Sequence, residues 1–184
     1  FVVNEGCLIP RPETERLVEE ALGLALPHEP EALDIFCGSG AVGISFLQLW
    51  QKKEGGKGRL VLADISPEAL EYARLNSQQY LGDFSAELIQ SDVFLQVGER
   101  QFDIIFANPP YVSSREYALL PDEVRKYEPQ MALEAAENGL YFYRKLLWEA
   151  ADFLKPGGFL CIEIGETQRE KIEALPLQNL EKVD

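Results

Sequence analysis

Ala32-Leu33-Asp34-Ile35-Phe36-Cys37-Gly38-Ser39-Gly40-Ala41-Val42-Gly43 decides how this chain folds. Residues 32–36 are apolar apart from Asp34 and read as a buried strand, and residues 41–50 carry helical spacing. Between them, Gly38 and Gly40 permit a tight turn and a close approach of backbone to a ligand. With Gly43 the spacing is Gly-x-Gly-x-x-Gly. Asp64 ends the next apolar run, where a carboxylate can accept from both hydroxyls of a ribose. In such a unit the ligand lies outside the carboxyl ends of the strands.

The alternation continues on both sides. Residues 60–63, 87–90, 102–107 and 159–164 read as further strands. Leu17, Val18, Ala21, Leu22 and Ala25 recur at helical spacing after Pro12, which suits a first turn. Ser66 and Pro67 open another helix, as cap and first residue. Asn138 is expected to open a long helix with Leu140, Tyr143, Leu147, Ala150 and Leu154 along one face, stopped by Lys155-Pro156-Gly157-Gly158. Residues 166–175 are expected to be helical. The prediction is one α/β domain with a doubly wound, mostly parallel sheet. In it, residues 1–30 form an N-terminal segment and helix, 31–165 a cofactor- and substrate-binding core, and 166–184 the start of a C-terminal part. Residues 112–137 hold no clear strand and read as a substrate-binding loop or a surface loop with a short helix.

The chain has 184 residues, enough to bury one sizeable core. Only 17 basic residues face 31 acidic ones, a net charge of −14. That balance argues against direct nucleic-acid binding, which needs cations on phosphates, and suits a basic protein partner. No apolar run approaches the ~20 residues that span a bilayer, so no membrane is expected. Cys7, Cys37 and Cys161 lack metal-ligand spacing, which fits thiols in a reducing cytoplasm and no metal. His28, in a Pro-His-Glu-Pro turn, reads as a loop residue and not as a ligand or base.

A second motif, Asn108-Pro109-Pro110-Tyr111, follows the strand at 102–107. The Asn108 side-chain carbonyl can accept a hydrogen bond from an NH2 group. Pro109 holds Asn108 extended, and neither proline has an N–H, so the backbone offers mainly carbonyl acceptors. Tyr111 can lie flat against a bound planar group. These four are the catalytic candidates; the plainer reading is a proline-rich turn. For the first motif, a nicotinamide dinucleotide and S-adenosyl-L-methionine both stay open. Asp34 tilts the choice, because a sulfonium and an ammonium tolerate a nearby carboxylate, whereas pyrophosphate at a helix start does not welcome one. Gln90-Ser91-Asp92-Val93 adds an acceptor for an adenine amino group at Asp92 and a backbone partner at Val93; Asp92 could equally cap a helix.

Taken together, several strings resemble the HemK-type protein glutamine methyltransferases, which modify peptide-chain release factors. They are Leu8-Ile9-Pro10-Arg11-Pro12-Glu13-Thr14-Glu15, the 34–40 loop, Asp64-Ile65-Ser66, Asn108-Pro109-Pro110-Tyr111, Glu128-Pro129 with Ala132-Leu133, and Pro156-Gly157-Gly158 with Glu163-Ile164-Gly165. The resemblance implies a Rossmann-like class I S-adenosylmethionine-dependent methyltransferase fold. It implies methyl transfer to the glutamine nitrogen of a Gly-Gly-Gln motif in a release factor. Asn108 and the Pro109 carbonyl would grip the amide, with Tyr111 beside it. Asp34, Phe36, Cys37, Gly38, Ser39, Gly40, Asp64, Ile65, Asp92, Val93 and Asn108 would hold S-adenosyl-L-methionine. Arg11, Pro12 and Glu13 would lie on the substrate side, although Arg11 could simply brace acidic loop residues. A cytoplasmic monomer that meets its protein substrate is expected. The family usually has Gly-Thr at Phe36-Cys37 and often Gly-Gly at Ala135-Ala136. Its helical N-terminal domain and the last two strands of the fold are not found in this sequence. The tetrapeptide alone is shared with DNA and RNA amino-methyltransferases, which keeps a base-modifying enzyme as the alternative. A nicotinamide-dependent oxidoreductase and a subunit without activity are more distant rivals.

Overall fold

A computed structural model of the chain describes residues 1–3, 6–82 and 86–183, with every side chain among them except that of Glu13. The elements in order are α1 (Pro12–Ala21), β1 (Glu31–Ile35), α2 (Ala41–Glu54), β2 (Arg59–Asp64), α3 (Pro67–Leu81), β3 (Glu87–Gln90) and β4 (Phe102–Ala107). Four short segments follow: the helices α4 (Ser114–Tyr117), α5 (Asp122–Tyr127) and α6 (Gln130–Leu133), and α7 (Ala136–Gly139), which is a turn without regular helical backbone. The described chain then continues through α8 (Tyr141–Glu149), a 3-10 turn (Ala150–Phe153), β5 (Leu154–Ile162) and α9 (Arg169–Glu173).

All strand pairs are parallel, in the order β3-β2-β1-β4-β5. Successive side chains of a strand face opposite sides, and here both sides are apolar. Ala32, Leu60, Leu62, Ile104 and Phe106 pack toward α2 and α3, joined by Ile44, Phe46, Leu47 and Trp50. Leu33, Ile35, Val61, Ala63, Ile105 and Ala107 pack on the other face with Val93, Phe94 and Leu146. Helices therefore cover both faces, the doubly wound arrangement that the alternation predicts. The chain steps outward from β1 to β3, then returns to place β4 on the other flank of β1. That reversal opens a crevice at the carboxyl ends of β1 and β4. The capping of α3 is as expected: the Ser66 hydroxyl accepts from the Ala69 N–H at 3.2 Å, with Pro67 first in the helix.

Several local expectations need correction. Phe36 does not extend β1; its φ is 60°, a left-handed turn residue. Asn138 does not open a helix, because Glu137, Asn138 and Gly139 are all left-handed, with φ of 56°, 54° and 84°. The helix proper begins at Tyr141, gives way to the 3-10 turn at Ala150, and Leu154 already belongs to β5. Residues 155–158 do not stop a helix. They form an irregularity within β5, whose partner residues shift between Phe102 and Ile104 on β4. Lys155 binds Asp103 and Glu31 there, both at 2.9 Å, tying three strands together at their amino ends. Strand β5 stops at Ile162, two residues early, and α9 is shorter than the predicted 166–175. His28 does lie in a loop, where its carbonyl accepts from the Trp50 indole N–H at 3.1 Å.

The reason for the left-handed turn is tertiary. A Cβ on Gly139 would sit 2.1 Å from the Tyr111 carbonyl oxygen and 2.6 Å from Gln168 Nε2. Gly139→Ala is therefore predicted to destabilise the protein by at least about 2 kcal/mol, from combined backbone strain and overpacking. Urea denaturation checks this; a loss under half that size would contradict the packing described.

Candidate active site

Strand β1 delivers the glycine turn. The Cys37 N–H donates to the Ala63 carbonyl at 3.1 Å and the Gly40 N–H to the Cys37 carbonyl at 2.7 Å, so the turn curls tightly against β2. Gly38 and Gly40 have φ of 53° and 77°, conformations open to glycine at little expense. Phe36 shares that region without a glycine's freedom; its ring meets Phe142 edge-on at 5.1 Å. Asn76 braces the turn from α3: its Nδ2 donates to the Ser39 carbonyl at 2.9 Å, and its Oδ1 accepts the Val2 N–H at 2.7 Å.

Two adjoining cavities open at the carboxyl ends of the strands, and Phe36, Asp64, Ile65, Pro110 and Met131 line both. The first adds Gly38, Ser66 and Asn108; the second adds Asp92, Val93 and Phe142. The two sequence motifs thus meet in one place. A larger cavity of about 600 Å³ lies near the amino ends of the strands. It is lined by Glu31, Arg59, Glu87 and Arg100, which pair with one another, and holds none of the candidate residues.

Asp64 accepts the Gly38 N–H on Oδ2 and the Ser66 N–H on Oδ1, each at 2.9 Å. Burial pushes its carboxyl upward, and the backbone N–H groups of Ser66, Gly38 and Ile65 pull it back. Each oxygen keeps a lone pair, so the group can also accept two hydroxyls. Phe36, Ile65, Val93 and Phe142 supply an apolar shelf beside it. This donor set fits a nucleoside. Asp92 is exposed at the rim, 3.6 Å from the Lys145 ammonium, and Val93 beside it is left-handed, with φ of 51°.

The remaining candidates are placed differently. Asp34 is 1 % exposed and lines neither cavity. Its Oδ2 accepts the Gly43 N–H at 2.8 Å, so it fastens the start of α2. Burial raises its carboxyl to about 7, against the pull of the Gly43 N–H and with help from the Asp64 charge. Cys37, Ser39 and Gly40 are buried behind the turn and line neither cavity. The Cys37 thiol is pushed well upward by burial and then by Asp34 and Asp64. Pro109 is buried, Tyr111 packs against the cluster of Tyr143, Leu147 and Ile172, and neither lines either cavity. The Tyr111 carbonyl accepts from Gln168 Nε2 at 2.9 Å. Arg11 pairs with the buried Glu128 and so braces the loop. Pro12 is the first residue of α1, and the Glu13 side chain lies outside the described residues.

Sequence reasoning missed Met131 and Phe142. Met131 lies between the quoted Pro129 and Ala132, and Phe142, one residue before Tyr143, lies off the predicted apolar stripe and packs against the core on the Leu146 side of the sheet. Residues 112–137 fold back on the tetrapeptide: the Tyr111 and Val112 N–H groups both donate to the Leu133 carbonyl, at 3.1 and 2.8 Å.

Residues 14–122, more than half of the chain, match the family model described as "Methyltransferase small domain". A release factor glutamine methyltransferase of Geobacter sulfurreducens is 37% identical over 94% of this chain and 58% of its own length. That of Enterococcus faecalis is 39% identical over 95% of this chain and 61% of its own. The chain thus spans about three fifths of these curated relatives, 58% and 61%. Among solved structures, a methyltransferase from Pyrococcus furiosus superposes with a TM-score of 0.59. It is 23% identical and covers 90% of this chain and 70% of that one, a likeness of fold. The fold is thus the Rossmann-like class I methyltransferase fold.

The burial of Asp34 has a pH signature. Its carboxyl rises from 3.8 to about 7, so folding favours the protonated form. That contribution is complete below 3.8 and is lost as pH rises toward 7. Asp34→Asn keeps an oxygen for the Gly43 N–H without the charge. Urea denaturation across this range should show the variant gaining stability relative to the parent as pH rises. A difference independent of pH would contradict the assignment.

Proposed function

We propose that this chain, which belongs to the methyltransferase small domain family, methylates the side-chain nitrogen of a glutamine, using S-adenosyl-L-methionine. The substrate in this reading is the Gly-Gly-Gln motif of a peptide-chain release factor. One observation carries it: Asn108 and Asp64 face a single cavity, so an amide held at one lies beside a nucleoside held at the other. The choice of glutamine rests on relatives 36% to 39% identical that are named release factor glutamine methyltransferases. The acidic surface, net −14, suits a protein partner better than a phosphate backbone. Three free cysteines, Cys7, Cys37 and Cys161, suit a reducing cytoplasm. Among the described residues, no helix is long and apolar enough to cross a membrane.

When bound, the sulfonium cofactor supplies an electrophilic methyl group. The chain's own residues prepare the nitrogen. An amide nitrogen is a weak nucleophile, because its lone pair is delocalised into the carbonyl. Asn108 Oδ1 and the Pro109 carbonyl accept its two N–H bonds and so fix the plane of the amide. Its out-of-plane lobe then faces the reacting carbon, which removes most of the orientational barrier. As positive charge grows on nitrogen, both hydrogen bonds strengthen, a stabilisation specific to the transition state. The two consecutive prolines fix φ and keep the backbone from relaxing. Asp64 holds ribose hydroxyls, and Phe36, Ile65 and Val93 shelve the base. Tyr111, tied through its carbonyl to Gln168, packs behind the clasp. No side chain acts as a nucleophile; the nitrogen, acidic once it carries the methyl group, releases one of its two protons to solvent, and the amide returns to neutral.

Incubation with a release factor, followed by mass spectrometry, should place one added methyl on the Gly-Gly-Gln glutamine. A methyl elsewhere, or none, would contradict the reading. Asn108→Ala should lower kcat on the order of 100-fold, the size seen when one aligned transition-state partner is lost. Its cofactor affinity should stay within about threefold of the parent value. Asp64→Ala should reverse this pattern in calorimetry, with affinity lost first; unchanged affinity would remove Asp64 from the site.

A further inference from the structure

We propose that Thr14 and Glu163 set the orientation of the Asn108 side chain, so that its carbonyl, and not its amino group, faces the substrate. This rests on the role given to Asn108 above.

Glu163 follows β5 and is fastened through its backbone. Its N–H donates to the Ala107 carbonyl at 2.9 Å, and its carbonyl accepts the hydroxyl of fully buried Tyr143 at 3.2 Å. Ile162 pairs with Ala107 as the last residues of their strands, so Glu163 and Asn108 are the first residues beyond two neighbouring strand ends. Thr14 enters from the first turn of α1 and is 8% exposed. Its hydroxyl donates to Glu163 Oε2 at 2.7 Å.

A hydroxyl carries one hydrogen, and a carboxylate only accepts. With that hydrogen committed to Glu163, Thr14 Oγ1 has lone pairs alone to offer. Asn108 Nδ2 lies 3.5 Å from it. The contact is long, and its weight lies in its polarity. Turning the amide over would set a carbonyl oxygen against an oxygen with no hydrogen to give. The chain Glu163–Thr14–Asn108 therefore reads in one direction, and Asn108 Oδ1 is left to the cavity. Thr14 and Glu163 are positioning residues; neither needs to touch the substrate. Each belongs to a string that the resemblance singled out, and the resemblance assigned neither a role.

The test uses the ligand-free protein with 15N-labelled asparagine. The Asn108 side-chain NH2 pair is identified by its disappearance in Asn108→Ala. Thr14→Val removes the hydroxyl with little change of shape and should move or split that pair. Thr14→Ser should return it to the parent position. Glu163→Ala frees the Thr14 hydrogen and should disturb the same pair, which serves if Thr14→Val does not fold. In turnover, Thr14→Val should lower kcat about tenfold with cofactor affinity unchanged, and Thr14→Ser should recover most of it. An Asn108 pair unmoved in both Thr14→Val and Glu163→Ala would overturn the proposal. So would a serine variant as impaired as the valine one. If the parent protein methylates no glutamine, the functional reading fails, while the NH2 signals still decide the orientation.

Discussion

Strands β1 and β4 lie side by side and parallel, and their chains leave in opposite directions around the sheet. The chemistry of the molecule depends on that divergence. A glycine turn leaves one strand end and a rigid Asn-Pro-Pro-Tyr segment leaves the other. Since Ile35 pairs with Ala107, the two motifs start from the same level of the sheet. No long loop has to be ordered to bring them together, and the conformational entropy of assembling the site is met by the folding of the sheet itself.

Packing around this junction then decides which groups are available. Asp64 is held by two backbone N–H groups and still has acceptor capacity toward the cavity. Asp34, on the neighbouring strand, is spent on the start of α2. Asp34 pairs with Leu62, so Asp64 lies two residues nearer the carboxyl ends of the strands; the two aspartates thus do different work, because one side chain meets the crevice and the other meets a helix. The loop at 112–137 closes over the same junction. It is anchored to Tyr111 and Val112 through the Leu133 carbonyl and to the N-terminal segment through Arg11 and Glu128.

The strands and the glycine turn were legible because their causes are local. Apolar residues on both faces of a strand mark a buried parallel sheet, and positive φ selects glycine at positions 38 and 40. Phe36 and Asn138 misled for the same reason in reverse. Phe36 takes a left-handed conformation that its own chemistry does not announce, with its ring set against the distant Phe142. Asn138 tolerates that conformation, and Asn138-Gly139 is a turn pair, but Asn also suits a helix start, and the Gly139–Tyr111 approach decides between the two. The Lys155-Pro156-Gly157-Gly158 irregularity looks like a helix stop because both call for the same residues. Of the site, Asn108, Gly38 and Asp64 were readable as chemical types at strand ends. The hydrogen bond of Thr14 to Glu163 joins residues 149 positions apart, and Asn76 to Val2 spans 74; no local pattern reveals either.

The position of a bound glutamine amide is decisive. A crystal structure of the chain with S-adenosyl-L-homocysteine and a Gly-Gly-Gln peptide measures this directly. The glutamine Nε2 should lie within about 2.7–3.2 Å of both Asn108 Oδ1 and the Pro109 carbonyl oxygen, with the sulfur on the open side of the amide plane. A glutamine bound away from Asn108, or held with its carbonyl toward that residue, would contradict the account.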